Sequence, residues 1–503
     1  MITGAVANSP PLEVRAPYDQ VLIATIDVSG EVAVEKALDT AYGLFRDRDA
    51  WLSPAQRIEI LRSAARLMQE QAEHLATEAA REGGKPLVDS RVEVARAIDG
   101  VVNCAELLRT EAGRVVPMNI NAGSMGRIAF SQCEPVGVVV AVSAFNHPLN
   151  LIVHQVGPAI AAGCPVIVKP AAETPLSCFR FVEILQKSGL PKGWCQALVT
   201  ENNELTTHLV TDPRVGFFSF IGSASVGWML RSRLAPGTRC ALEHGGVAPV
   251  IIAADADLDA ALPKLVKGGF YHAGQVCVSV QRIFVHRSIV DQVAERLGKL
   301  ATRLRVGDPL STDTEVGPLI RQQELRRVDE WVHEAAEAGA KLICGGAALS
   351  PSCYAPTVLV EPSPSCRVSR EEVFGPVVCV YAFDDLDQAI ARANSLPVAF
   401  QAAVFTRDYA TAMRAYSRLD ASAVMLNDHT AFRVDWMPFA GLRGSGLGVG
   451  GIPYTFHDMQ IEKLFVGPVA ITARAGNLDL KVSRSRTIEG KHPLSPETYR
   501  GSH

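Results

Sequence analysis

The residue with the clearest chemical potential in this sequence is Cys277, which stands behind a Gly-Gln turn in the stretch 271–278. By itself this thiol predicts little, because a free Cys in apolar company is more often a small core residue than a nucleophile. Two other residues could work with it: Glu243 as a proton acceptor and Asn146 as a hydrogen-bond donor. The three side chains together would support covalent catalysis, in which a thiolate attacks and a base assists.

A second group of residues indicates a bound nucleotide. Residues 220–227 follow a predicted strand and open a helix, and their glycines would let the backbone approach a pyrophosphate at the helix N-terminus. A plain strand-to-helix turn would explain the same pattern. Lys169 ends another predicted strand, at the sheet edge where ligands bind, and its amine could reach a ribose hydroxyl or remain solvated.

The elements that must position these residues alternate between strands and helices. The continuous apolar run 136–143 predicts a parallel strand buried on both faces. A helix over 151–162 and strands over 165–169 and 215–220 continue the pattern, and a second such unit begins after Glu243. This order predicts an α/β fold with open, mostly parallel sheets and helices on both faces.

Length and composition exclude several classes of function. A chain of 503 residues predicts two or three domains, and a net charge of -4 offers no basic stripe for nucleic acid. No apolar run reaches the roughly 18 residues of a membrane helix, and the N-terminus lacks a signal-peptide pattern. The eleven Cys show no zinc-like spacing, so we expect no metal site and a cytoplasmic protein with free thiols.

Five motifs place the candidate residues in a fixed order along the chain. They are Phe-Asn-His-Pro at 145–148, Leu-Glu-His-Gly-Gly at 242–246, Gly-Gln-Val-Cys at 274–277, Glu-Glu-Val-Phe-Gly-Pro at 371–376, and Met-Pro-Phe-Ala-Gly at 437–441 followed by Ser-Gly at 445–446. In this order they resemble the aldehyde dehydrogenase superfamily of NAD(P)-dependent enzymes. The resemblance covers roughly residues 15–470.

The resemblance implies oxidation of an aldehyde to the carboxylic acid with NAD or NADP. Cys277 would form a thiohemiacetal, Asn146 and the Cys277 backbone N–H would hold its oxyanion, and Glu243 would activate the water that hydrolyses the thioester. The implied cofactor-binding residues are Lys169 at the adenosine ribose, Gly222, Ser223 and Gly227 near the pyrophosphate, and Glu372 with Phe374 at the nicotinamide ribose.

Three positions depart from the family pattern, and one of them, Ala440 in place of a Gly, is a small change. His244 stands where a Leu is usual, and it could merely pack or could tune Glu243. Ala172 stands where many NAD-preferring members have a Glu that binds the ribose 2'-hydroxyl, and Glu173 comes one residue late. We therefore predict dual use of NAD and NADP, or at least tolerance of NADP.

The substrate is predicted less sharply than the reaction. The stretches 145–150 and 432–435 resemble a branch of the family that includes enzymes for small polar or anionic aldehydes, such as lactaldehyde, semialdehydes and phosphono- or sulfo-aldehydes. Arg433 or Arg282 would face the acid group, although a structural salt bridge is an alternative for each. Trp436, His147 and His154 could instead line an aromatic tunnel for apolar aldehydes. Two other classes are a cysteine esterase, which needs no nucleotide, and a non-catalytic structural relative, which needs no intact site.

The resemblance also implies the domain organisation. We expect an aldehyde dehydrogenase-like α/β fold with a Rossmann-type cofactor domain, an α/β catalytic domain and a small β oligomerisation element that pairs subunits into a homodimer or homotetramer. The predicted bounds are 1–114 and 135–242 for the cofactor domain, 243–445 for the catalytic domain, 115–134 and 456–473 for the oligomerisation element, and 474–503 for a flexible tail that ends like an expression-tag remnant.

Overall fold

The computed structural model describes residues 10–469, which form two compact units. Unit 1 holds residues 10–113 and 132–463, and unit 2 holds residues 114–131 and 464–469. The predicted tail over 474–503 lies outside the described residues, as does the end of the predicted segment 456–473. The split of unit 1 into a cofactor domain and a catalytic domain stays a prediction.

Both units are built from short strands, and the helices belong to unit 1. The strands are β1 (Leu12–Arg15), β2 (Leu22–Ile26), β3 (Val115–Val116), β4 (Arg127–Pro135), β5 (Val138–Val142), β6 (Val166–Lys169), β7 (Cys195–Ala197), β8 (Val215–Ile221), β9 (Arg239–Glu243), β10 (Ala248–Ile252), β11 (Val280–His286), β12 (Lys341–Cys344), β13 (Thr357–Val360), β14 (Val377–Phe383), β15 (Val398–Ala399), β16 (Gln401–Phe405), β17 (Ala423–Leu426), β18 (Leu442–Arg443), β19 (Gly446–Leu447) and β20 (Gln460–Pro468). The helices are α1 (Glu31–Arg46), α2 (Pro54–Glu70), α3 (Ala72–Gly83), α4 (Leu87–Thr110), α5 (Asn150–Ala162), α6 (Leu176–Lys187), α7 (Asn203–Thr211), α8 (Ala224–Arg231), α9 (Leu258–Phe270), α10 (Val290–Ala301), α11 (Gln322–Glu337), α12 (Arg367–Arg370), α13 (Leu386–Ala393), α14 (Tyr409–Arg418) and α15 (Ile452–Asp458).

A six-stranded sheet of order β19-β9-β8-β5-β6-β7 forms the first layer of unit 1. Its strands are parallel except β19, which pairs antiparallel with β9. All five residues of β5 are buried, because Val138 and Val140 pack with α1 on one face while Val139 and Ala141 pack with α4 and α5 on the other. This confirms the predicted doubly covered parallel strand.

A seven-stranded sheet of order β12-β13-β14-β11-β10-β16-β17 forms the second. The seven-stranded sheet is parallel apart from the β12–β13 pair. The helices that cover this sheet pack against it through the largest apolar core of the described residues. Two mostly parallel sheets covered by helices confirm the predicted α/β class.

Buried carboxylates from other helices cap α5 and α6. Glu93 Oε1 accepts from the backbone N–H groups of Leu149 and Asn150, at 2.9 and 3.0 Å. Glu82 does the same at α6, where it accepts from the N–H groups of Leu176 and Ser177 at 2.8 and 2.9 Å. A negative charge at a helix N-terminus is stabilised by the free N–H groups there, so these caps fix where each helix begins.

Unit 2 contains β3 and parts of β4 and β20, which form a sheet of order β20-β4-β3. A left-handed turn at Gly126, with φ +68°, leads into β4. Phe130 and Phe465 stack at 5.1 Å between ring centroids. Across residues 10–469, helix length and apolarity nowhere reach what a membrane crossing requires.

Candidate active site

Four of the predicted site residues lie at the carboxyl ends of neighbouring strands. Lys169 ends β6, Asn146 follows β5, Gly222 follows β8 and Glu243 ends β9. Since β6, β5, β8 and β9 are adjacent and parallel, their carboxyl ends meet at one edge of the six-stranded sheet. This is the edge where open α/β sheets bind ligands, beside the strand at which the chain changes direction of winding.

Cys277 comes from the second sheet, in the loop between α9 and β11. The chain turns there through left-handed residues, with φ +50° at His272, +54° at Ala273 and +69° at Gly274. Only Gly fits the third position, because a Cβ on Gly274 would lie 2.1 Å from the Gly375 carbonyl oxygen. Backbone held in such a sparsely populated conformation is typical of functional sites and requires firm support.

Gln275 supplies that support from within the loop. Its amide donates to the carbonyl oxygens of His272 and Pro318, both at 3.2 Å, and its Oε1 accepts from the Ile320 N–H at 3.0 Å. The Gln275 carbonyl in turn accepts from the side-chain amide of Asn146 at 2.9 Å. The loop before Cys277 is therefore bonded on three sides, and Asn146 is brought to it with one N–H still free to donate.

Burial raises the pKa of the Cys277 thiol to about 12, and the carboxyl of Glu372 adds to that rise. The Arg433 guanidinium opposes it. The thiol is thus neutral near pH 7 in the absence of a further base or positive charge. A nucleophilic role requires such a partner, because the thiolate is the attacking species.

The Glu243 carboxylate occupies space that is available because Gly450 has no side chain. The strand pair β9–β19 sets Glu243 opposite Gly446, and a Cβ on Gly450 would lie 2.0 Å from Glu243 Oε1. Burial raises the pKa of Glu243, and Arg433 opposes the shift. A carboxylate with a raised pKa suits a general base better than an ordinary surface Glu.

Glu372 fits the cofactor role that the resemblance implies. A Cβ on Gly245 would lie 1.8 Å from Glu372 Oε2. Each of the two carboxylates, Glu372 and Glu243, therefore occupies space next to a glycine. Glu372 Oε1 is buried and has no protein partner among residues 10–469, which leaves an acceptor for a hydroxyl of a bound ribose. Burial raises the pKa of Glu372 to about 8. Phe374, with φ +45°, meets Phe145 edge-on at 5.8 Å.

The predicted pyrophosphate turn lies at the exposed N-terminus of α8. Ser223 precedes α8 and is exposed, and its side chain makes no capping hydrogen bond. Lys169 donates to the Pro170 carbonyl at 3.3 Å, which leaves two of its N–H groups free, and burial lowers the pKa of its amine. The residues present therefore fit a dinucleotide: Lys169 and the turn for its adenosine half, Glu372 for its nicotinamide ribose.

Arg433 is fixed by a chain of polar contacts that crosses the cleft. Arg96 makes a two-pronged ion pair with Asp435, at 2.7 and 3.1 Å. Asp435 also binds His154 Nε2 at 2.7 Å, and His154 Nδ1 lies 3.3 Å from an Nη of Arg433. Burial lowers the pKa of His154 to about 4, so its neutral ring donates to Asp435 and accepts from Arg433.

The charges along this series of polar contacts do not cancel. Asp435 compensates Arg96, and although burial alone would raise the pKa of Asp435, its contacts with His154 and Arg96 hold it well below the usual range. The Arg433 guanidinium lies over the Phe439 ring, with Cζ 3.6 Å from the centroid, and its buried Nε has no partner in the described part of the chain. No carboxylate of residues 10–469 forms a salt bridge with it, so one cation remains beside Cys277 and Glu243.

The other candidates for substrate contact differ from one another. His147 lies 3.2 Å from the Tyr271 hydroxyl, close to the nucleophile loop, and burial lowers its pKa. Trp436 is 54% exposed. Arg282 is 4% exposed, and it donates to the carbonyl oxygens of Val247 and Ala393. The partners of Arg282 are backbone carbonyls rather than a carboxylate of residues 10–469, so the salt-bridge alternative was wrong, whereas its contact with a substrate acid group stays a prediction.

Several contributors were missed because the sequence carried no signal for them. Arg96 and Asp435 are 339 residues apart, and no local pattern connects them. Gly450 lies outside the recognised motifs, although the Glu243 carboxylate occupies the space where a side chain at position 450 would be. The acidic residue two places after Arg433 was the one available clue, since an Asp so close to a candidate binding Arg requires another cation to balance it.

Comparison with known proteins agrees with this geometry. Residues 5–464 match the profile of the aldehyde dehydrogenase family. A 3-sulfolactaldehyde dehydrogenase of Priestia aryabhattai is 38% identical over 90% of this chain and 94% of its own length. The structure of aldehyde dehydrogenase 21 of Physcomitrella patens, in complex with the reaction product succinate, has a TM-score of 0.89 and 33% identity, covering 93% of this chain and 97% of that one. A glyceraldehyde-3-phosphate dehydrogenase of Methanocaldococcus jannaschii, complexed with NADP, has a TM-score of 0.87 and 33% identity, covering 92% of this chain and all of that one.

Proposed function

The chain belongs to the aldehyde dehydrogenase family and is an NAD(P)-dependent enzyme, and from that premise we propose that it oxidises small anionic aldehydes. The observation that carries the substrate class is the Arg433 guanidinium, which lies beside the nucleophile loop without a carboxylate partner among the described residues. Sulfonate, carboxylate and phosphate groups are bound well by a planar guanidinium fork. The names of the three relatives each refer to a compound with such a group.

The proposed first step is attack by Cys277 on the aldehyde carbon. The thiol gives its proton to solvent water, the thiolate electron pair forms the C–S bond, and the C=O π pair moves onto the oxygen, where the Asn146 amide and the Cys277 N–H donate to the resulting oxyanion. Such donors are typically worth ~2.7 to 4 kcal/mol in the transition state. Asn146 is already oriented by its bond to Gln275, so little reorganisation is needed.

A bound nicotinamide, with its ribose held by Glu372, would supply the hydride acceptor, and loss of hydride from the former aldehyde carbon would leave the substrate as a thioester on Cys277. Glu243 then removes a proton from water, the water oxygen attacks the thioester carbon, and the C–S bond breaks. The raised pKa of Glu243 supports this assignment, because a stronger base takes the proton more readily.

A pair of four-carbon aldehydes tests the substrate class. Succinic semialdehyde carries a carboxylate, and butanal is its uncharged counterpart. We expect the wild-type enzyme to prefer the semialdehyde in kcat/KM, and Arg433→Met to reduce the ratio of the two values about 10- to 100-fold, the range for hydrogen bonds to charged groups. Arg407→Met, at an exposed arginine paired with Asp257, is the matched control. A wild-type preference for butanal, or an unchanged ratio in Arg433→Met, would contradict the proposal.

We also propose that both NAD and NADP are accepted. Ala172 offers no carboxylate to repel a 2'-phosphate, and the nearby Glu173 pairs with Arg321 at 3.3 Å. Lys169 therefore keeps a positive charge near the ribose. A preference for NAD over NADP above about a thousandfold in kcat/KM, or ~4 kcal/mol, would contradict dual use.

Assembly into a homodimer or homotetramer is proposed from the surface of unit 2. Its strands and turns leave large apolar side chains exposed: Val115 at 77%, Ile120 at 76% and Phe465 at 54%. Apolar groups clustered on a small β element are typical of subunit contacts. Light scattering at micromolar concentration tests this, and a monomeric mass would overturn it.

A further inference from the structure

His244, the residue after Glu243, lies beneath the pyrophosphate turn rather than in the cleft. It is 2% exposed, and its ring packs against Phe220 and Trp228, with centroids 5.7 and 5.8 Å apart. A Cβ on Gly227 would lie 2.1 Å from His244 Cε1, so α8 can approach the ring only because Gly227 has no side chain. The imidazole thus fills the space between the end of β9 and the start of α8.

The Gly222 peptide unit is held on both sides by residues 243 and 244. The Gly222 N–H donates to the Glu243 carbonyl at 3.1 Å. The Gly222 carbonyl lies 2.9 Å from His244 Nδ1, and since a carbonyl only accepts, Nδ1 must carry the proton. Burial lowers the pKa of His244, so the ring is neutral and its buried Nε2 has a free lone pair with no partner among residues 10–469.

This bond has a consequence for the next N–H along the chain. In a planar trans peptide the C=O of one residue and the N–H of the next point in opposite directions. The Gly222 carbonyl is turned down onto His244, so the Ser223 N–H is directed away from it, toward the exposed face at the beginning of α8. The first N–H groups of a helix are the ones that bind phosphate oxygens.

We propose that His244 is a positioning residue, which fixes the Gly222–Ser223 peptide so that the Ser223 N–H is presented to the cofactor pyrophosphate. Through the shared Gly222 contacts, the same residue ties the pyrophosphate turn to the strand that carries Glu243. A Leu, usual at this position in the family, could fill the same space but could not hold the carbonyl. The ring is not a catalytic residue, because it is 2% exposed and packs against Phe220 and Trp228.

Three variants separate hydrogen bonding from packing. His244→Asn places an N–H donor near the position of Nδ1, His244→Gln places one near the position of Nε2, and His244→Leu keeps the volume with no donor. Dissociation constants are measured by calorimetry for ADP-ribose, which contains the pyrophosphate, and for adenosine, which does not. Trp228 fluorescence, which reports on the ring contact, gives an independent binding curve.

We expect His244→Leu and His244→Gln to weaken ADP-ribose about 3- to 10-fold, the effect of one hydrogen bond, while adenosine binding is unchanged. His244→Asn should stay within about twofold of wild type for both probes. The proposal is overturned if Asn and Gln behave alike, or if all probes weaken equally. The contrast between Asn and Gln remains decisive even if His244→Leu does not fold.

Discussion

Carboxylates removed from solvent occur in two regions of this protein, fully buried in one and half-buried in the other, and their surroundings differ. Beneath α5 and α6, Glu93 accepts two backbone N–H groups and the ammonium of Lys85 at 2.5 Å, while Glu82 accepts two N–H groups and the Ser177 hydroxyl. In the cleft, Glu372 Oε1 has no partner, and Glu243 receives no side-chain hydrogen bond from the described residues. The structural carboxylates are saturated, whereas those assigned to chemistry keep free lone pairs.

The difference lies in what surrounds each oxygen. At the helix caps, the donors are N–H groups that would otherwise be unsatisfied, so capping stabilises both partners. In the cleft, Gly245 and Gly450 leave space for the Glu372 and Glu243 carboxyls, and partial burial raises the pKa of both. A site of this kind costs folding free energy and is retained for its chemistry. Four substitutions would break or sharpen this contrast.

The largest effect is expected for Glu243→Gln. Loss of the base should reduce steady-state turnover about 10²- to 10⁴-fold, while the first hydride transfer survives as a burst of reduced cofactor. Because the carboxylate has no partner to lose, the melting temperature should stay equal or rise. Stopped-flow absorbance and a thermal melt check both, and an unchanged steady-state rate would refute the role of Glu243.

Glu93→Gln should have the opposite profile. Removing one member of a buried ion pair leaves Lys85 uncompensated, which typically costs about 3 to 5 kcal/mol. The free energy of unfolding from urea titration should fall by that amount, with little change in kcat for the fraction that remains folded. Combining Glu93→Gln with Lys85→Met should recover part of the loss, and a double variant no more stable than the single one would count against the pairing.

Glu372→Gln should change how stability depends on pH. Burial raises the pKa of Glu372 to about 8 in the folded state, so folding binds a proton and stability falls as pH rises from the ordinary carboxyl range to about 8. Glu372→Gln has no titrating carboxyl at this position and therefore does not lose stability in this pH range. The free energy of unfolding of the variant minus that of wild type should be larger at pH 8.5 than at pH 5.5, by on the order of 1 kcal/mol. Equal pH slopes for both proteins would show that Glu372 is solvated.

The smallest effect concerns the two cations. Lys85 is paired, whereas Arg433 acts on the cleft and lowers the pKa of Cys277. Arg433→Met should therefore reduce the rate of Cys277 alkylation by iodoacetamide at pH 8.5 about 2- to 5-fold. Arg407→Met serves again as the exposed control, and alkylation as fast as wild type in Arg433→Met would place the guanidinium too far from the thiol to matter.

Much of the fold could be predicted from the sequence. The run 136–143 contained β5, and the helix predicted over 151–162 begins one residue earlier and ends where expected. Short elements were placed less well where apolar pattern was weak. The motif residues were identified by resemblance, but the Arg96–Asp435–His154 chain was not, because it joins segments far apart in the sequence.

What the sequence determined was the set of reactive groups and their order, because motif residues and apolar periodicity are local properties of a chain. What the tertiary structure decided was which groups are left without partners. The adjacency of β6, β5, β8 and β9 gathers four strand ends at one edge, and desolvation there raises the pKa of Glu243 and Cys277. Burial and electrostatic coupling depend on neighbours from distant segments, so only the folded chain fixes them.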